Sequence, residues 1–143
     1  MGSSISNSSI ALDKLISSLS ECVQMHDECQ EEAGDGWIPT RLVDIRESKH
    51  SNTVRIVCRE EVEADHPGGN TRYLTLSHIW GDQHFLTLTT KNIQELRSGF
   101  PVSRLPRTFI DAIAVTSQVG VQYLWIDFLW YVYPHTQSVL IWH

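Results

Sequence analysis

Two polar residues each close a short apolar run: Ser77 follows Tyr73-Leu74-Thr75-Leu76, and Asp127 follows Tyr123-Leu124-Trp125-Ile126. If both runs are neighbouring parallel strands, the hydroxyl and the carboxylate emerge at one sheet edge, where α/β folds bind ligands. A serine there can donate to a phosphate or ribose oxygen, and an aspartate can accept from a ribose hydroxyl. A plainer reading stands beside this one: Asp127 caps the next turn and Ser77 ties down its own loop. Trp80 and Gly81 complete the candidate ligand-binding set, Trp80 as a pocket wall or a core residue, Gly81 as a backbone angle that a Cβ disfavours. Adding His78 gives the residue types of a hydrolase triad. Adjacent strand residues point to opposite faces, however, and no Gly-x-Ser-x-Gly surrounds Ser77, so no catalytic residue is assigned.

A second group has metal-ligand chemistry. Cys22, His26 and Cys29 recur at i, i+4 and i+7 on one helical face, and zinc accepts both thiolate and imidazole. A structural site needs four ligands, and Cys58, His66, His78 and His84 offer no supporting spacing for the fourth, so core packing is the preferred reading and no metal or cofactor is expected. Arg104 and Arg107 precede a helix start, where they would attract an anion or form a solvated pair.

The elements that must position these residues follow from periodicity. Leu12, Leu15, Ile16, Leu19, Cys22, Val23 and His26 predict an amphipathic helix over 9–31, capped by Ser9 and preceded by a Ser-rich disordered tail. Residues 41–45 and 53–58 read as a hairpin at one side of the sheet, 46–52 as a polar turn, and 60–70 as a charged surface loop. Strands are expected over 73–79 and 121–127. Between them lie a short helix through Leu96 and a helix over 108–119, the latter with Thr108 and Asp111 as a capping box and Gly120 as its C-cap. Strand, helix, strand in that order predicts an α/β domain with a small parallel sheet and flanking helices.

Eleven basic residues against 17 acidic give a formal net charge of −6 over 143 residues. Nucleic acid is excluded as a partner, since phosphate contacts need clustered Lys and Arg. No transmembrane run is present, and three cysteines without framework spacing fit a reducing, cytoplasmic location. Met1-Gly2-Ser3-Ser4-Ile5-Ser6 fits the N-myristoylation pattern at Gly2, but no basic patch follows it, and a polar tail is preferred.

Three ordered blocks carry a family resemblance. They are Cys22-x3-His26-x2-Cys29 with Pro39-Thr-Arg-Leu-Val-Asp44; Tyr73-Leu-Thr-Leu-Ser77-His-Ile-Trp80-Gly81; and Leu105-Pro106-x-Thr108-Phe109-x-Asp111-Ala112-Ile113 running through Gly120 to Tyr123-Leu-Trp-Ile-Asp127. The chain resembles the heterokaryon-incompatibility (HET) domain of filamentous fungi. The resemblance implies a small TIR- or flavodoxin-like fold and a role in non-self recognition ending in programmed cell death, through a protein partner or self-association. Some TIR relatives cleave NAD, but in those enzymes the catalytic glutamate sits on a later element, and this chain is not expected to be an enzyme. After Asp127 the family pattern continues Ser-Leu-Cys-Ile-x-Gln, whereas Trp130 stands here at the cysteine and Tyr133 at the glutamine. The expected organisation is therefore a tail and helix over 1–36, a partial HET domain over 37–127 and a divergent tail over 128–143, in a truncated, incomplete member.

Overall fold

The computed structural model describes residues 5–26, 37–69, 71–77 and 87–127. The chain divides into two compact units, Met1–Trp37 and Ile38–His143.

The first unit contains α1, Ile5–Met25. This helix starts four residues ahead of the predicted Ser9 cap, so the Ser/Asn-rich segment from Ile5 onward is helical rather than a disordered tail. One physical reason is that serine and asparagine cost a helix only a few tenths of a kcal/mol each, roughly, which the apolar repeat further along can outweigh. Its last described bond runs from the His26 N–H to the Cys22 carbonyl, and the expected continuation to residue 31 lies outside the described residues.

The second unit is an α/β domain. Its strands are β1 (Arg41–Asp44), β2 (Thr53–Cys58), β3 (Tyr73–Leu76), β4 (Phe100–Pro101) and β5 (Tyr123–Ile126). Together they form one five-stranded sheet in the order β3-β5-β1-β2-β4. β3 and β5 are parallel neighbours, as the apolar runs predict. β1 pairs antiparallel with both β2 and β5, so the hairpin lies at one side of the parallel pair, continuous with it, and makes the sheet mixed. Val43 opposite Leu124 explains the junction, because both are apolar on the same face and pair across the strands.

Side chains alternate between two buried layers. Val43, Ile45, Val54, Ile56, Leu124 and Ile126 face one layer, with Leu74 and Leu76 packed against it. It is closed by Leu96 from α4 (Ile93–Ser98) and by Phe109 and Ile113 from α5 (Arg107–Val119). Leu42, Val57 and Tyr123 face the other layer and meet Ile38 and Val62. Val62 belongs to α3, Arg59–Asp65, a helix where the sequence suggests a loop. The Cys58 N–H donates to the Glu61 carboxylate at 2.8 Å, which satisfies an otherwise unpaired donor at the helix start. The predicted polar turn at 46–52 likewise contains one helical turn, α2 (Ser48–Ser51), ended by Asn52 in the left-handed conformation.

α5 does not use the predicted capping box. Pro106 occupies the cap position in extended geometry without a side-chain bond, which places Thr108 inside the helix. Asp111 instead accepts from Arg107 Nε at 3.0 Å. The other end behaves as expected: Gly120 sits at φ 86°, where a residue with a Cβ would be strained, and Val121 N–H closes back onto the Thr116 carbonyl.

Candidate functional site

The register of β3 against β5 runs Tyr73↔Tyr123, Leu74↔Leu124, Thr75↔Trp125 and Leu76↔Ile126. Ser77 and Asp127 are each the next residue, so they stand level at the carboxyl ends of two parallel strands. Ile126 is fully buried and Leu76 packs against the same layer, which anchors the two strand ends from below. Both residues lie just beyond the paired residues of their strands. Ser77 and Thr75 are exposed, and Asp127 and Trp125 are half-buried. His78, Trp80 and Gly81 lie outside the described residues.

The metal candidates are only partly described. Cys22 Sγ lies 3.4 Å from His26 Nδ1, and Cys29 is outside the described residues. Among the described residues no three His, Cys, Asp or Glu side chains gather as a metal site. Cys58 and His66 have other structural surroundings: Cys58 starts α3, and His66 Nε2 is 3.2 Å from the Tyr123 hydroxyl. Arg104 and Arg107 do not form a joint anion site, because Arg104 bonds Glu95 and Arg107 bonds Asp111.

The most extensive polar cluster was not read from the sequence. It surrounds Asp44, only 5% exposed, at the opposite end of β5 from Asp127. Arg46 donates Nε at 3.0 Å and Nη2 at 2.7 Å to the two carboxylate oxygens, and its own backbone N–H donates at 3.0 Å. Arg55 approaches the same carboxylate with Nη2 at 3.4 Å and Glu61 with Nη1 at 3.5 Å, while Arg97 reaches Glu61 at 3.2 Å. Arg46 also bonds Asp65 and lies over the Tyr123 ring, 5.8 Å from its centroid. His66 meets that ring edge-on at 5.7 Å.

Burial alone would push the Asp44 carboxyl up, but the Arg46 bonds and the charges of Arg46 and Arg55 outweigh it and hold the group below its ordinary value. The Cys58 N–H, opposed by burial and helped by Arg97 and Arg55, holds Glu61 below its own. The Arg46 guanidinium is raised, chiefly by its bond to Asp44. Burial raises the Tyr123 hydroxyl, with Asp44 and Asp65 adding to it against Arg46 and Arg55. Each cation here faces an anion, so the cluster's chemistry is mutual neutralisation that ties α3 to the sheet. An acid at the end of an apolar strand was the one signal that could have revealed it.

The fold is an α/β domain with a mixed sheet that contains one parallel pair. The family model described as heterokaryon incompatibility protein (HET) matches residues 73–130, a stretch that starts with β3 and includes β5. No curated protein and no solved structure gives a match. No helix among the described residues is long and apolar enough to cross a membrane.

Proposed function

We propose that this protein is a signalling module of heterokaryon-incompatibility type, acting in the cytoplasm in non-self recognition that ends in cell death. It works by associating with a protein partner at the rim formed by Ser77 and Asp127, with Trp80 and Gly81 close by in sequence. The observation that carries this reading is that one family-matched segment contains both parallel strands and both rim residues. Expression in a filamentous fungal host tests it. The chain arrests growth, and Ser77→Ala combined with Asp127→Asn relieves the arrest without lowering the unfolding midpoint. A double variant that arrests growth as strongly as the parent overturns the rim's role.

A second reading, cleavage of NAD, is favoured by one observation: a hydroxyl and a carboxylate level with each other at the carboxyl ends of parallel strands suit a ribose. Incubating purified chain with NAD and following nicotinamide decides between them. Release that disappears in Asp127→Asn supports the enzyme; growth arrest without release supports the association module.

A further inference from the structure

α1 carries a narrow stripe in which Leu15, Leu19, Cys22 and His26 succeed one another at i, i+4, i+7 and i+11. Leu15 and Leu19 are 56% and 43% exposed. At its end, Cys22 Sγ and His26 Nδ1 converge to 3.4 Å. Zinc–sulfur bonds of about 2.3 Å and zinc–nitrogen bonds of about 2.0–2.1 Å, set at a tetrahedral angle, separate two such donors by about 3.5 Å. The helix therefore presents a thiol and an imidazole at the spacing that two neighbouring ligands of one tetrahedral ion require. The two now share a hydrogen bond, and a metal taking this place displaces the proton between them.

We propose that Cys22 and His26 are half of a zinc-class metal site, completed by the same two residues of a second copy of this chain. A tetrahedral structural site takes four ligands, and Cys2His2 is one of its ordinary compositions. Two identical halves related by a twofold axis through the ion supply that set from one repeated pair, and twofold pairing is the commonest symmetry of soluble oligomers. The apolar stripe beside the pair fits the arrangement, because a second α1 approaching the ion covers Leu15 and Leu19. The inference is independent of the rim at Ser77 and Asp127.

The test uses the full, reduced chain with cobalt(II) as a spectroscopic substitute for zinc. The expected result is a thiolate-to-cobalt absorption band that saturates at one ion per two chains, a metal-dependent dimer by sedimentation, and reversal of both by a chelator or of the band by excess zinc. Cys22→Ser and His26→Gln each abolish the band and the dimer while helix content by circular dichroism stays unchanged. Cys58→Ser and Cys29→Ser retain both. Leu19→Ser keeps the ligands but weakens the metal-dependent dimer on the order of tenfold, the effect of losing one buried leucine contact. Saturation at one ion per chain without a mass change, loss of the band in Cys29→Ser or Cys58→Ser, or no band at all overturns the proposal.

Discussion

The two ends of β5 use polar residues in opposite ways. At Tyr123 the charges of Asp44, Arg46, Arg55, Glu61, Asp65 and Arg97 are spent on one another in a lattice that straddles sheet and helix. At Asp127, four residues or roughly 13 Å along the strand, the neighbouring hydroxyl of Ser77 faces solvent. Perturbed ionisation at the Tyr123 end reports architecture. Shifted carboxylates often point to function, but structural ion-pair networks shift them too. The Ser77 and Asp127 end belongs to the family-matched segment, and it is the end at which the proposed function places the partner.

The largest break in that contrast is Asp44→Ala. It strands the Arg46 guanidinium and backbone N–H beside a buried position, and is expected to cost about 2–3 kcal/mol in denaturant unfolding, the lower part of the range because both arginines are partly solvated. Acid sharpens the same point. Asp44 and Glu61 have folded-state values below their ordinary ones, so they bind fewer protons folded than unfolded. Their contribution is complete above the ordinary carboxylate range, about pH 4, and is lost as pH falls through the lowered values. An Asp44→Asn chain should therefore show a shallower loss of stability below about pH 4 than the parent. The raised Tyr123 hydroxyl works at the other extreme, its contribution fading as pH climbs beyond about 10. Tyr123→Phe keeps the buried ring and removes the contact with His66, for an expected loss of about 1 kcal/mol. The smallest effect is Ser77→Ala, within about 0.5 kcal/mol in the same unfolding measurement. A Ser77→Ala loss as large as that of Asp44→Ala would show that both ends are structural.

What the sequence disclosed, and what it hid, divides along the range of the interactions. The two apolar runs announced β3 and β5, and Gly120 announced the end of α5, because strand burial and a left-handed cap are written in a few adjacent residues. α3 was hidden because Arg59-Glu-Glu-Val-Glu-Ala-Asp65 sends only Val62 to the core, leaving too little period to register. Its start was disguised as well: Cys58 is not a usual cap residue, so the Glu61 three positions later went unread. The Asp44 lattice draws on residues from 44 to 97 and exists only once strands and helix are assembled. The place of β1 beside β5 is the same kind of fact, since pairing between distant strands leaves no local mark. Ser77 and Asp127 were legible as strand-end residues, and the parallel register puts them at one level. Trp80, Gly81 and Cys29 fall outside the described residues.

Strand order has a consequence for how the molecule comes into being. β5 is the last strand among the described residues, yet it lies inside the sheet, between β3 and β1. As the polypeptide leaves the ribosome, the β1–β2–β4 portion can assemble early, while β3 waits without a neighbour until Tyr123–Ile126 has emerged. Long-range pairing of this kind is slow to form and leaves strand edges uncovered meanwhile. The parallel pair and its rim therefore come into existence together, and any nascent chain stopped short of Tyr123 has neither.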